Sequence, residues 1–328
     1  MHQFYWQRLL AVVLYLRHFM QVHRNIQNLP RFKNAVVTIG TFDGVHTGHQ
    51  QIIAQLKQEA ALLNGETVII TFHPHPRKIV STKQLYILNT LEEKIQLLEA
   101  KGIDHLVVVL FDDSFADQSA EEYVKLFLFE KFHPHTVIIG YDHRFGKGRL
   151  GDYHLLEDYG RALGFIVKEI PEHVLNNITV SSTRIREALL QSDIETANNY
   201  LGYDYFFAGN VVQGNKLGRT IGYPTANIHI EAEEKLIPGN GVYAARVKIQ
   251  HLKDQLFGGM MNIGMRPTVN GTSRTIEVNI FDFDEDIYEQ TIRVYVKNHL
   301  RGEVKFSGLD ALKEQLAKDK ETAIKLLA

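Results

Sequence analysis

Between Val22 and about Ile170, short apolar runs of strand character alternate with stretches of helical spacing. Strands are expected at 36–39, 68–72, 106–111, 137–139 and 165–170, with helices at 50–63, 91–101, 119–131 and 155–163 between them. This alternation predicts an α/β doubly wound, Rossmann-like domain around a parallel sheet. Such sheets bind ligands beyond the carboxyl ends of their strands, where the strand order reverses. After Asn199 the pattern changes. A helical stretch over 182–201 stops at Gly202, a residue suited to a helix C-cap. Beyond it, strand-like runs at 205–213, 242–250, 257–263, 274–282 and 291–300 follow one another with glycines and no helices between them. That predicts an antiparallel β-barrel, closed off by a C-terminal helix over 309–327. The expected domains are 20–202 and 203–328.

With 328 residues the chain is long enough for two such domains. Apolar residues at 45% and charged residues at 23% are the values of a globular protein. The formal net charge of -2 argues against bulk binding to nucleic acid or an anionic membrane. The absence of cysteine excludes disulfides and thiolate metal sites. Residues 1–19 contain the apolar run Leu9–Leu16 between Arg8 and Arg17. It is far short of the roughly 20 residues that span a bilayer, and no small-residue cleavage site follows it. The segment reads as an extension without function, Met20 as an alternative start, and the protein as cytoplasmic. Homo-oligomerisation is left open.

The first chemical signal is Thr38-Ile39-Gly40-Thr41-Phe42-Asp43-Gly44-Val45-His46-Thr47-Gly48-His49. A strand, a glycine-punctuated turn and a helix start make a phosphate-binding geometry, because unpaired N–H groups and the helix dipole face the turn. His46 and His49, three apart, share one side of the first helical turn and can both donate to a phosphoryl group. Gly48 lets a nucleotide approach the backbone. Asp43-Gly44 reads as a turn dipeptide. The second signal is Gly214-Asn215-Lys216-Leu217-Gly218-Arg219-Thr220-Ile221-Gly222-Tyr223-Pro224-Thr225-Ala226-Asn227. Its glycines admit phosphates to the backbone, and Lys216 and Arg219 supply charge. The spacing is not that of a Walker loop.

The order Gly-x-Phe-Asp-Gly-x-His-x-Gly-His resembles the nucleotidyltransferase signature in the form found in prokaryotic FAD synthetases. The second signal, ending in Pro-Thr-Ala-Asn, is similar to the riboflavin kinase signature. Together they resemble the bifunctional riboflavin kinase/FAD synthetases, in which the second domain phosphorylates riboflavin to FMN and the first adenylylates FMN to FAD with release of pyrophosphate. The resemblance implies ATP, riboflavin and FMN as substrates, with Mg²⁺. It makes His46 and His49 donors to the α-phosphoryl group, with Gly40, Phe42 and Gly48 around the nucleotide. Asp142, in Gly140-Tyr141-Asp142-His143-Arg144-Phe145-Gly146, is expected on the nucleotide or metal. Ser182, Thr183 and Arg186 of the Ser-Ser-Thr segment, otherwise ordinary cap residues, are expected on the ATP phosphates. Some family members carry arginine where this chain has Thr179. Phe72-His73-Pro74-His75-Pro76 resembles a family substrate loop, and its alternating prolines predict extended backbone.

For the kinase, the resemblance places Gly214, Lys216, Gly218, Arg219, Gly222 and Thr225 around ATP, and Thr225 and Asn227 on the metal. The stretch Arg274–Phe283 alternates, so Thr275, Glu277 and Asn279 share a strand face. The family makes Glu277 the base for the ribityl hydroxyl. Leu300-Arg301-Gly302-Glu303 resembles the family stretch before the terminal helix, with Arg301 as the flavin contact.

Overall fold

The computed structural model describes residues 19–170, 180–214, 217–252, 255–268 and 271–328. The rest of the N-terminal extension, Thr179, Asn215 and Lys216 lie outside the described residues. By packing, the chain forms two compact units, one of residues up to 84 with 91–177, the other of 85–90 with 178–328.

The first unit holds β1 (Gln21–His23), β2 (Val36–Ile39), β3 (Thr67–His73), β4 (His105–Leu110), β5 (Thr136–Gly140) and β6 (Ile166–Ile170). They form one sheet in the order β1-β4-β3-β2-β5-β6, parallel throughout. β2 is buried along its whole length and β3 nearly so, as expected of parallel strands covered on both faces. β6 closes one edge and exposes Lys168 and Glu169, charges that discourage edge pairing. The strand order reverses between β2 and β5, so their carboxyl ends flank the switch point.

The helix Thr47–Leu63 turns Ile53, Leu56 and Ala60 inward at helical spacing. It ends at Asn64 in the left-handed conformation, φ 45°, as C-caps commonly do. The segment over 120–132 begins with a reciprocal Ser119–Glu122 capping box. Its middle, Tyr123–Phe129, is π-helical and buries Tyr123, Val124, Phe127 and Leu128. The expected extended run holds as far as His75, whose backbone is extended, and gives way at Pro76 to a short helix, Pro76–Val80. Proline is well placed at the first helical position, and His75 Nδ1 caps it by accepting from the Arg77 N–H at 3.1 Å.

The second unit is a closed antiparallel barrel in the order β10-β11-β8-β7-β12-β9. Its strands are β7 (Phe206–Val212), β8 (Ala226–His229), β9 (Gly241–Ile249), β10 (Phe257–Thr268), β11 (Gly271–Ile280) and β12 (Thr291–Arg301). β8, not anticipated as a strand, begins inside the Pro-Thr-Ala-Asn motif. The helix expected over 182–201 is two helices, Ser182–Leu190 and Ile194–Leu201. Ser192 breaks them at φ 63°, and the Asp193 side chain caps the second by accepting from Thr196 N–H. Gly202 ends it in the left-handed conformation. Ile185, Leu189, Ile194, Ala197 and Leu201 all belong to the barrel's core cluster. This is why the packing unit begins near 178, ahead of the barrel's first strand. The terminal helix, Leu309–Leu327, seats Ala323 and Leu327 against Ala244, Met260 and Phe281.

Candidate active sites

In the first unit, the chain leaves β2 through a loop that three non-glycine or glycine turns contort. Phe42, Gly44 and Val45 have φ values of 47°, 88° and 38°. A β-branched residue there is strained, and Phe42 and Val45 are held by burial at 1% and 0% exposure. His46 is the N-cap of the helix, one residue earlier than a place in its first turn. Its Nδ1 accepts from the His49 N–H at 3.4 Å. With Nδ1 an acceptor, neutral His46 carries its proton on Nε2, so only that nitrogen can donate to a ligand. His46 and His49 stack with ring centroids 3.7 Å apart, and Phe42 tilts against His49 at 4.9 Å. Gly48 is buried, and a Cβ on it would press on the His46 ring at 3.3 Å.

Burial, then the neighbouring His46 and Lys94, hold the His49 imidazole well below its ordinary pKa, so it is neutral at pH 7. Its Nδ1 is buried with no hydrogen-bond partner among the described residues, a polar atom that a ligand would satisfy. Asp43, read from sequence as a turn residue, is buried at 2% exposure. Lys94, which sequence reasoning passed over, is buried at 7% and donates to the Thr41 carbonyl at 2.6 Å. A signal for it existed: Leu91, Lys94 and Leu98 occupy one buried helical stripe.

At the other side of the switch point, Asp142 is exposed in the turn after β5. His143 beside it has a buried Nε2 with no hydrogen-bond partner among the described residues. Burial, with Arg149 nearby, pushes its pKa down to about 4. Ser182, Thr183 and Arg186 belong to the second packing unit. Ser181 caps their helix by accepting from Arg184 N–H at 3.3 Å, and Arg186 Nε donates to the Tyr86 carbonyl at 2.6 Å.

In the barrel, a cavity of about 290 Å³ is lined by Gly218, Thr225, Asn227, Arg266, Glu277, Asn279 and Arg301, with Ile221, Val242, Met260, Val304 and Phe306 as apolar wall. Polar groups converging in an otherwise apolar cleft are the form of a small-molecule site. Antiparallel register sets Glu277 of β11 opposite Asn227 of β8 on one side and Asn262 of β10 on the other. Thr225 Oγ1 donates to Glu277 Oε2 at 3.3 Å, and Arg266 Nη2 to Oε1 at 2.7 Å. Both carboxylate oxygens are thereby fixed. Asn279 Nδ2 holds the Pro224 carbonyl at 2.6 Å, tying the motif to β11.

The glycines here are steric requirements. A Cβ at Gly214 would overlap the Asn227 amide, and one at Gly218 the Tyr223 carbonyl. Gly222 has φ 85°, within the left-handed region that favours glycine. Arg219 is exposed on the short helix Leu217–Thr220. The Arg301 guanidinium lines the cavity, but its Nε and Nη2 donate to Asp319 of the terminal helix at 2.7–3.1 Å. Sequence reasoning missed Arg266 and Asp319, whose partners are set only by barrel register and helix docking.

A parallel sheet with paired histidines at its switch point, and a barrel cavity that gathers a carboxylate, a hydroxyl and an amide, suit a two-module, ATP-using transferase. Family models for FAD synthetase and riboflavin kinase match residues 29–184 and 201–327. The bifunctional riboflavin kinase/FMN adenylyltransferase of Haemophilus influenzae is 40% identical over 93% of this chain and 98% of its own length. That of Escherichia coli is 36% identical over 93% and 97%. A solved Streptococcus pneumoniae structure, titled a macrolide-efflux protein, superposes with TM-score 0.82 at 30% identity, covering 93% and 98% of the two chains. This chain belongs to the bifunctional riboflavin kinase/FMN adenylyltransferase family. It is an enzyme of flavin cofactor biosynthesis, carrying both a riboflavin kinase and an FMN adenylyltransferase. Among the described residues no helix is long and apolar enough to cross a membrane.

Proposed function

We propose that residues 203–328 form the kinase module, with Glu277 as its base, and 20–202 the adenylyltransferase module, with His46 and His49 at its centre. The observation that carries the kinase assignment is the meeting of Thr225, Asn227 and Glu277 on one wall of the barrel cavity.

Glu277 accepts the proton of the ribityl hydroxyl as that oxygen attacks the γ-phosphorus of ATP, whose bond to the β,γ-bridging oxygen breaks and releases ADP. Arg266 and Thr225 keep its carboxylate in one orientation, the requirement for efficient general-base action. The Gly214–Gly222 stretch, with Lys216 and Arg219, binds the phosphates through backbone N–H groups and charge. Both reactions use ATP with a divalent metal, and we assign Mg²⁺. The kinase donor set fits it. Thr225 and Asn227 offer uncharged oxygens, and Gly214 leaves room only for the bare backbone beside the Asn227 amide. A hard cation bound this way draws most of its shell from phosphate and water. When bound it would neutralise charge on the phosphates. Arg301, Val304 and Phe306 wall the flavin side of the cavity.

In the adenylyltransferase, no covalent intermediate is needed. FMN phosphate displaces pyrophosphate from the α-phosphorus, and the chain's task is in-line positioning and charge stabilisation. His46 Nε2 and neutral His49 donate to the α-phosphoryl oxygens at the helix start, where the dipole assists. Gly40, Phe42 and Gly48 shape the nucleotide side. Asp142 contacts the nucleotide or its metal from the carboxyl end of β5. The motif alone assigns Ser182, Thr183 and Arg186 to the ATP phosphates. The setting we assign is cytoplasmic.

The test is incubation of the full chain with riboflavin and ATP, titrating Mg²⁺ against a chelator, with chromatographic separation of FMN and FAD. FMN should form first and FAD second, both dependent on Mg²⁺. Failure to form FMN, or metal-independent formation, overturns the reading.

A further inference from the structure

Lys94 is a charge buried against the loop that leads from Thr41 to His46. Its side chain rises from the helix Leu91–Glu99 into a stripe otherwise made of Leu91 and Leu98. Nζ donates to the Thr41 carbonyl at 2.6 Å and to Thr71 Oγ1 at 3.3 Å. Thr71 Oγ1 in turn donates to the same carbonyl at 3.1 Å. Two donors therefore converge on one backbone oxygen at the carboxyl end of β2. Because the peptide is planar and trans, an inward Thr41 carbonyl turns the Phe42 N–H away from Lys94. This is the peptide that opens the contorted stretch Phe42–Val45.

Satisfying the carbonyl does not require a lysine, since Thr71 already donates to it. What Lys94 alone adds is positive charge, and a buried ammonium is costly unless its surroundings use it. The groups facing it are the Asp43 carboxylate and the Thr41 carbonyl from the loop, His49 from the following helix, and the neutral Thr71 hydroxyl from β3. Its field also reaches the His49 ring, which it helps keep neutral.

We infer that Lys94 is a positioning residue of FMN adenylylation: its ammonium locks the Thr41 carbonyl inward, holds the Phe42–Val45 loop in its strained form, and lends buried positive charge to the anionic phosphoryl group bound above it. This rests on the assignment of His46 and His49 to adenylyl transfer.

The experiment compares wild type, Lys94→Met and His49→Ala as full chains, assaying riboflavin phosphorylation and FMN adenylylation in the same preparations between pH 6.5 and 9.5. Burial lowers the Lys94 pKa to about 8, against an opposing pull from Asp43. Activity that needs the ammonium must then fall as pH rises through that value. His49, titrating well below the ordinary histidine range, cannot produce this limb. Wild-type adenylylation kcat/KM for ATP should show the alkaline limb while the kinase does not. Lys94→Met should lower adenylylation kcat by about 10²-fold, the scale of losing one preorganised donor. It should lose the limb and leave riboflavin phosphorylation within about twofold, since the residual pathway no longer senses this amine.

Adenylylation by Lys94→Met at wild-type kcat overturns the inference. So does a wild-type profile flat to pH 9.5, which needs no variant and decides the matter if Lys94→Met fails to fold. If His49→Ala abolishes adenylylation while Lys94→Met keeps the wild-type kcat, this inference alone falls. If His49→Ala leaves adenylylation intact, the assignment of the site falls and this inference with it.

Discussion

Asp319→Asn tests how the terminal helix supports the kinase cavity. Asp319 is 3% exposed. Its carboxylate accepts from Arg301 Nε at 3.1 Å and Nη2 at 2.7 Å, and from Gln315 Nε2 at 2.8 Å. The asparagine keeps the shape and one acceptor oxygen, but sets an amide NH₂ against a guanidinium that has lost its counter-charge. Breaking a buried ion pair by removing one partner costs about 3–5 kcal/mol. The Arg301 side chain is still 20% exposed, so water recovers part of that loss and about 2–3 kcal/mol is expected. Urea unfolding followed by far-UV circular dichroism measures it, as a lower midpoint at unchanged slope. Because Arg301 also walls the cavity, the KM for riboflavin should rise while FMN adenylylation is kept. The double variant Arg301→Met/Asp319→Leu should recover most of the stability, since apolar replacement removes both desolvation costs. A loss under about 0.5 kcal/mol would place the pair among ordinary surface bridges and refute the reasoning.

Other outcomes can be read by product chromatography and titration. His49→Ala should abolish FAD formation from FMN, a loss of about 10²–10³-fold or more, and spare riboflavin phosphorylation; loss of both activities together would refute independent sites. Glu277→Gln should do the reverse, lowering FMN formation by about 10²–10⁴-fold. Gly214→Ala should drive a methyl into the Asn227 amide and weaken kinase activity at low Mg²⁺ first; an unchanged Mg²⁺ requirement would count against Asn227 as a ligand. Lys94 also predicts a stability slope. Its folded pKa of about 8 lies below the ordinary 10.5, so between those values the unfolded chain binds more protons and stability rises with pH. The rise is worth up to about 3 kcal/mol, and Lys94→Met should flatten it in urea titrations at successive pH.

Local pattern determined most of the architecture. The alternation of buried runs and amphipathic stretches specifies a parallel sheet because period and burial are properties of neighbouring residues. The glycines at 44 and 222 were legible because the turns that need them are local, and those at 48, 214 and 218 because their motifs carry them. The paired histidines were legible too, as one helix start carries both. What tertiary structure decided is which distant groups share a site. Barrel register alone sets Glu277 opposite Asn227 and brings Arg266 onto its carboxylate. β8 was hidden because its few residues overlap a loop motif, and its pairing partners lie elsewhere in the chain. The break at Ser192 was hidden because helical spacing continues on both sides of it. Asp43 looked like a turn residue and Lys94 went unremarked: its helical stripe marks it as buried, but no local pattern reports that this helix delivers an ammonium to the Thr41 carbonyl. Arg301 carried a motif visible in sequence, while docking of the terminal helix gave it a carboxylate partner. Sequence thus named the candidate groups, and packing over long chain separations decided what holds each of them in place.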